Sequence, residues 1–138
     1  MNILNIPVAD IMTTEVVSVR PSQKLVDVKH IFEKEKFHHH IPVIENGELK
    51  GMISLVDFLF AIQPASLDDN EKVYHDLSAG NIMSLNPVTV SISSSLEDVC
   101  LVLAKGDVHA VIISENDIVK GIISTADVIN YFLKKNRK

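Results

Sequence analysis

The stretch Gly-Met-Ile-Ser-Leu-Val-Asp at residues 51–57 decides the fold that we predict, because it returns as Gly-Ile-Ile-Ser-Thr-Ala-Asp at residues 121–127. Gly, Ser and Asp recur at identical spacing, and both stretches join a strand-like pattern to a helix-like pattern. Such an internal repeat indicates that one supersecondary unit is used twice. Any binding site built on this unit is therefore expected to occur in two copies.

The repeat extends over most of the 138 residues. We predict a first repeat at residues 1–62, a connector at residues 63–78 and a second repeat at residues 79–138. Each repeat has about 60 residues, a size at which a separate hydrophobic core is only marginally stable. The two repeats are therefore expected to share a core.

The first repeat shows alternating helix and strand patterns. Pro-Ser at residues 21–22 ends a short strand and offers a helix N-cap, and an apolar stripe of helical spacing follows at residues 25–32. Asn-Gly at residues 46–47 predicts a tight hairpin, so residues 49–53 should return antiparallel to a strand at residues 40–45.

The second repeat follows the same order. Ser94 and Glu97 are spaced as a capping box before an apolar helix. Helices are also predicted at residues 55–62 and 126–135, one at the end of each repeat. The predicted fold class is mixed α/β (α+β), with two β-α-β-β-α repeats packed as a pseudo-two-fold pair.

Composition limits the classes of function. The net charge of −5 argues against nucleic acid as a partner, since phosphate backbones require basic surfaces. The single cysteine, Cys100, excludes an internal disulfide. The sequence has no signal-peptide pattern and no apolar run long enough to span a bilayer, so we expect a soluble cytoplasmic protein without a membrane partner.

Ser54 and Asp57 lie where a predicted strand ends and a helix begins, and Ser124 and Asp127 repeat the arrangement. The first turn of a helix presents N–H groups and a positive dipole end, which suits a phosphate that the serine hydroxyl can also bind. The aspartate can accept from both hydroxyls of a ribose. The same pair also resembles a capping box, and the motif alone favours that structural role.

Taken together, these features resemble the cystathionine-beta-synthase (CBS) domain, whose tandem pair is called a Bateman module. The resemblance includes the openings Asp-Ile-Met-Thr at residues 10–13 and Asn-Ile-Met-Ser at residues 81–84, and His-Ile-Pro-Val-Ile at residues 40–44. It covers nearly the whole chain, so we expect no attached catalytic or transport domain. The resemblance implies that Asp57 and Asp127 bind ribose.

The histidines are further candidates for binding a phosphate. In the CBS family, basic residues before the Pro-Val pair often reach a bound phosphate, which implicates His39, His40 and His109, most effectively when protonated. A half-buried strand histidine bonded to the backbone is an equally good interpretation of each. We predict no metal site, because neighbouring strand residues point to opposite faces and zinc needs three or four converging ligands.

The resemblance also implies that the segment after the opening methionine of each repeat lines an adenine, largely through backbone groups and apolar contacts. These adenine-lining candidates are Thr14, Val16, Val17, Asn86, Pro87 and Val88. Val16 stands where the second repeat has Pro87, and Ala110 stands where the first has His40. The two sites are therefore expected to be unequal.

We therefore predict a regulatory module that binds an adenine nucleotide or S-adenosylmethionine in the cleft between the repeats. The ligand could be AMP, ADP or ATP. The module would act on a separate protein effector or through its own oligomer, and the family resemblance implies a homodimer. It is not expected to be an enzyme or to require a cofactor. The alternative is a ligand-free interaction or oligomerisation module in which the Ser-x-x-Asp motifs serve only as helix caps.

Overall fold

The structure is a computed structural model of the chain and describes residues 5–34 and 39–136. The backbone divides into two compact units. Among the described residues, 17–34 and 39–87 form the continuous unit, and 5–16 together with 88–136 form the split unit.

The continuous unit contains two strands and four helices within the described residues. These are α1 (Leu25–Lys34), β1 (His40–Glu45), β2 (Glu48–Ser54), α2 (Leu55–Ile62), α3 (Val73–Asp76) and α4 (Ala79–Ile82). β1 and β2 run antiparallel around Asn46 and Gly47, whose φ angles of 54° and 81° suit a tight turn. The predicted hairpin and the helix at residues 55–62 are confirmed.

The split unit repeats this plan. A short 3-10 turn at Val8–Asp10 precedes β3 (Thr89–Ser91), α5 (Leu96–Leu103), β4 (Ala110–Glu115), β5 (Ile118–Ser124) and α6 (Thr125–Asn136). β3 pairs parallel with β4, and β4 pairs antiparallel with β5. The mixed α and β fold is thus confirmed. In the described part of the chain, no helix is long and apolar enough to cross a membrane.

The prediction of one core shared by the repeats was wrong, because each unit has its own hydrophobic core, although each core takes residues from both repeats. In the continuous unit, α1 and α2 cover the hairpin, and the fully buried Tyr74 of α3 stacks on Phe58 of α2 with ring centroids 6.3 Å apart. In the split unit, Val8 is fully buried against Leu96 and Val99 of α5. The residues of the connector and of the chain's opening are therefore structural parts of the cores.

The two sequence repeats exchange their openings, so that each compact unit contains the opening of one repeat and the body of the other. The backbone of Thr13 makes two reciprocal N–H···O bonds of 2.9 Å with Ile122, and Ser84 makes the equivalent pair, 2.7 and 3.0 Å, with Met52. The opening of the first repeat thus pairs with the body of the second repeat, and the opening of the second repeat pairs with the body of the first. The domain boundaries given above follow the sequence repeats and stay a prediction, whereas the compact units cut across them.

Close backbone approach explains the glycine of the repeated motif. A Cβ on Gly51 would lie 2.7 Å from Met83 Sδ and 2.8 Å from the Ser84 carbonyl oxygen. A Cβ on Gly121 would meet Met12 Sδ and the Thr13 carbonyl oxygen, both at 2.8 Å. The glycines therefore admit the exchanged openings.

Two predicted helix starts were wrong. α1 begins at Leu25, three residues beyond Ser22. α5 is capped by Ser95, whose N–H donates to Asp98 Oδ2 at 3.2 Å, and not by the Ser94–Glu97 pair. In both helices the first residue is completely buried, so the need to place that leucine in the core sets where the helix starts.

The short strand predicted to end at Pro21, for which residues 16–19 supply the β-branched pattern, is also shorter than expected. Only Val19 pairs, through an isolated parallel bridge to Val43. The corresponding segment of the second repeat is the three-residue strand β3.

The connector is held to α1 by a group of charges that we call the connector strap: Lys29, His30, Glu33 and Asp69. Lys29 is a buried residue, and its Nζ donates to Asp69 at 2.7 Å and to Glu33 at 3.0 Å. His30 Nε2 lies 2.8 Å from the second Asp69 oxygen. Hydrogen bonds to Asp69 and then Glu33 raise the pKa of Lys29, and those from Lys29 and then His30 lower the pKa of Asp69.

Candidate functional site

Both Ser-x-x-Asp pairs lie at a strand-to-helix junction. Ser54 ends β2 in an extended conformation, and its Oγ accepts a 2.9 Å hydrogen bond from the Asp57 N–H. Ser124 Oγ accepts from the Asp127 N–H at 3.0 Å. Each serine therefore caps the helix that follows it, as the structural interpretation of the motif predicted. The predicted phosphate contacts of the same hydroxyls stay a prediction.

The two aspartate carboxylates differ in what they bind. Asp127 Oδ2 accepts from the Ser124 N–H at 2.9 Å, which closes a reciprocal capping box at the start of α6. Asp57 Oδ2 instead accepts from the hydroxyl of Ser84 at 3.2 Å. Both aspartates are half-buried. One carboxylate is therefore turned back to its own helix, and the other is turned to the exchanged opening.

Ser84 was not among the predicted site residues. Its hydroxyl reaches Asp57 because the opening of the second repeat pairs with Met52, close to the end of β2. A hint in the sequence was the hydroxyl residue that follows the opening methionine of both repeats, Thr13 and Ser84. The contact joins residues 27 positions apart, so local spacing could not reveal it.

The backbones of two candidate histidines reach the helix starts. The His39 carbonyl accepts from the Leu55 N–H at 2.8 Å, and the His109 carbonyl accepts from the Thr125 N–H at 2.9 Å. Both histidines are exposed, whereas His40 is half-buried. The fold thus brings His39 and His109 to the first turns of α2 and α6, next to the Ser-x-x-Asp pairs.

His40 holds a different position from the other two histidines. It pairs across the hairpin with Ser54, the cap of α2. His38, which strand alternation would place on the same face as His40, lies outside the described residues.

The adenine-lining candidates fall in both units. Thr14 and Val16 belong to the split unit, which holds Asp127, whereas Asn86 and Pro87 belong to the continuous unit, which holds Asp57. Asn86 is exposed and adopts a φ of 57°, which turns the chain after Ser84 and Leu85. The fold therefore combines the Ser-x-x-Asp pair of each repeat with the opening of the other repeat.

The last two adenine-lining candidates lie where the chain passes between the units. Val17 is the first residue of the continuous unit, and Val88 is the first residue of the second segment of the split unit. Val88 is half exposed, at 51%.

Acidic and histidine side chains do not gather into a metal centre in the described ranges, 5–34 and 39–136. No group of three His, Cys, Asp or Glu residues there could hold an ion. Cys100 is a partly buried free thiol, and burial followed by the charge of Glu97 raises its pKa. A raised pKa keeps the thiol protonated and weakly reactive.

The repeat structure matches a known family. A family model described as the CBS domain matches residues 8–64 and again residues 79–134. The chain belongs to the CBS domain family. The resemblance inferred from the repeated motifs is thereby confirmed.

Curated protein sequences that resemble this chain are mostly longer than it is. The uncharacterized protein MJ0188 of Methanocaldococcus jannaschii is 30% identical over 133 residues, which cover 96% of this chain and 46% of that protein. The chain thus spans about half the length of the first curated relatives that it matches, MJ1225 and MJ0188.

Two solved structures show the same fold with adenosine compounds bound. CBSX2 of Arabidopsis thaliana, solved in complex with AMP, is 24% identical with a TM-score of 0.78, and the match covers 96% of this chain and 99% of that one. The CBS domain pair of protein MJ0100, in complex with 5′-methylthioadenosine and S-adenosyl-L-methionine, is 19% identical with a TM-score of 0.69. That match covers 92% of this chain and 95% of that one. At these identities the likeness establishes the fold.

Proposed function

We propose that this chain is a regulatory module that binds an adenosine-containing ligand and is not itself an enzyme. The ligand would be AMP, ADP, ATP or a compound of the S-adenosylmethionine type. Asp57 and Asp127 would bind the ribose hydroxyls, and Ser54, Ser124 and the candidate histidines would bind a phosphate. We place this activity in the cytoplasm.

The observation that carries the proposal is the meeting of three elements within a single unit. The Ser54–Asp57 pair, the backbone of His39 and the exchanged opening at Ser84 all lie at the start of α2. A carboxylate and hydroxyl groups beside a helix N-terminus suit a ribose and a phosphate. The adenosine compounds bound by the similar CBS pairs support the same ligand class.

Thermal denaturation with added ligand tests the proposal. We expect AMP, ADP, ATP or S-adenosylmethionine at about millimolar concentration to raise the melting temperature, because a ligand that binds only the native state stabilises it. Replacing Asp57 or Asp127 with Ala should reduce the rise while the protein stays folded. No shift with any of these compounds would contradict ligand binding.

Asp117→Asn is a control for the loss of one carboxylate elsewhere in the chain. This substitution removes one carboxylate from the hairpin turn that precedes β5, whereas Ser124 is the last residue of β5. Seven strand residues span about 20 Å, which places the turn far from the start of α6. This variant should respond to the ligands as the wild type does.

The capping bonds favour a second candidate function. Ser54 and Ser124 do cap their helices, so the repeated motif has a structural role without any ligand. The chain would then be an interaction or oligomerisation module. Unfolding of the Asp57 and Asp127 variants, together with an unchanged wild-type melting temperature in all ligands, would favour this function.

We also propose that the module forms a homodimer through which it acts on itself or on a separate protein effector. The proposal is supported by exposed apolar side chains at helical spacing, Val56, Leu59 and Phe60 on α2 and Ile129 and Leu133 on α6. Phe60 is 68% exposed, an unusual position for a phenylalanine.

Light scattering on wild-type and Phe60→Asp protein tests the dimer. We expect the charged variant to be a monomer, because a carboxylate cannot be buried unpaired in an apolar interface. Leu101→Asp, on α5 at 60% exposure, is the control and should keep the wild-type mass. A wild-type mass of one chain would contradict the proposal.

A further inference from the structure

The carboxylates of the two candidate ribose sites are held in different ways. Ser84 donates its hydroxyl to Asp57 Oδ2 at 3.2 Å, and this serine is exposed. The Ser124 N–H donates to Asp127 Oδ2 at 2.9 Å, and this bond is partly buried. In the first case the donor belongs to the exchanged opening, and in the second it belongs to the helix that the aspartate caps.

The exchanged residue of the split unit does not reproduce the Ser84 contact. Thr13 pairs with Ile122 through the same two backbone bonds that Ser84 makes with Met52. Within the described residues, however, its hydroxyl makes no hydrogen bond to Asp127, which is engaged by Ser124. Equivalent backbone pairing therefore supports two different arrangements of the carboxylate.

These arrangements impose different costs on ligand binding. An ionised carboxylate has about four acceptor positions, so the Ser84 bond leaves room for two ribose hydroxyls at Asp57. Asp127 has as many acceptor positions left, but the Ser124 N–H fixes its Oδ2 against the start of its own helix, so presenting the carboxylate to the same diol would require it to turn. The backbone N–H of Ser124 would then lose its partner in a half-buried position, which is unfavourable.

We propose that the two sites are unequal, and that Ser84 is a positioning residue that makes the Asp57 site the tighter and more ribose-selective one. This inference rests on the proposed binding of an adenosine ligand. The hydroxyl of Ser84 holds the Asp57 carboxylate away from the helix start, ready for the 2′ and 3′ hydroxyls of a ribonucleoside. Asp127 binds the same ligand more weakly because its capping box must open.

Calorimetric titration of the full chain with AMP and 2′-deoxy-AMP tests the role of Ser84. We expect Ser84→Ala to weaken tight AMP binding roughly fivefold, the effect of losing one solvent-exposed hydrogen bond. Binding of 2′-deoxy-AMP should change by less than about twofold, because its sugar lacks the diol. Ser84→Thr keeps the hydroxyl and should restore AMP binding, and Thr13→Ala should leave the tight site unchanged.

Titration of Asp57→Asn and Asp127→Asn locates the tight site. The first variant should lose it, whereas the second should keep it. Loss of the tight site in Asp127→Asn alone, or equal weakening of both ligands by Ser84→Ala, would overturn the inference while leaving adenosine binding intact. Absence of binding to the wild type would overturn the proposed function as well, which separates the two failures.

Discussion

Gly51 and Gly121 stand where a backbone from the other repeat passes close by. Their conformation is ordinary, and what they supply is the missing side chain, because an added Cβ would lie 2.8 Å from the carbonyl oxygen of Ser84 or Thr13. The sequence indicated these glycines by their recurrence. It could not give the reason, since the neighbouring atoms come from distant parts of the chain.

Gly51→Ala and Gly121→Ala should each destabilise the fold by about 1–3 kcal/mol, the usual cost of forcing extra volume into a packed site. The contact with a methionine sulfur can relax, but the contact with the carbonyl oxygen requires the strand to move. Urea denaturation measures the loss. Lys50→Ala and Lys120→Ala, at the preceding exposed positions, are the controls and should stay within about 0.5 kcal/mol.

The helix starts show how far local patterns determine an element. The apolar stripes gave α1, α2, α5 and α6 because burial of one helix face is encoded at regular spacing. Several serines lie close together before α5. Ser95 becomes the N-cap because the next residue, Leu96, must be buried as the first residue of the helix. The serine caps of α2 and α6 were visible because each lies directly between a strand and its helix.

Ser54→Ala and Ser124→Ala should each lower the free energy of unfolding by about 1 kcal/mol, because each removes the acceptor for an N–H of the first helical turn. Chemical denaturation measures the change. Ser22→Ala provides the comparison, since α1 begins three residues later at Leu25. A cost at Ser22 equal to that at Ser54 would show that these losses are not capping losses.

The connector strap gives the continuous unit a dependence on pH. The pKa of Asp69 lies below its ordinary value of 3.8. The ionised Asp69 carboxylate therefore stabilises the fold above that pH, and this contribution is lost as the pH falls through the pKa of the folded state. The pKa of Lys29 lies above its ordinary value of 10.5. The contribution of the charged lysine to folding stability is therefore complete below that pH and is lost as the pH rises through the pKa of the folded state.

Asp69→Asn should therefore reduce stability at neutral pH and flatten the loss of stability between about pH 5 and pH 2. Denaturation midpoints measured across that range test this. Asp76→Asn is the control, because among the described residues the Asp76 carboxylate makes only a long, exposed ion pair with Lys72 at 3.7 Å. If both variants follow the same pH profile, the connector strap does not contribute the acid sensitivity.

At the scale of the whole molecule, the exchanged openings mean that a sequence repeat does not coincide with a compact unit of the structure. The duplication could be read from the sequence because identical residues recur in order. The exchange of the openings could not be read from the sequence, because Thr13 pairs with Ile122 and Ser84 pairs with Met52, residues that are far apart in the chain.

Val8→Ala should destabilise the split unit by about 2 kcal/mol although Val8 lies in the first repeat, because it is fully buried in that core. The chain has two tyrosines and no tryptophan, with Tyr131 in the split unit and Tyr74 in the continuous unit. Tyrosine fluorescence in a Tyr74→Phe background therefore reports on the split unit. A transition at Tyr131 unchanged by Val8→Ala would contradict this prediction.

The split unit is also affected by the order in which the chain is synthesised. A ribosome completes residues 17–87 before it has made most of the split unit, whose first segment must wait for residues 88–136. Closing so long an intervening loop slows contact formation. We expect the continuous unit to gain protection first during synthesis, which limited proteolysis of stalled nascent chains can measure. The early segment around Val8 would remain open to chaperones until its partner strands emerge.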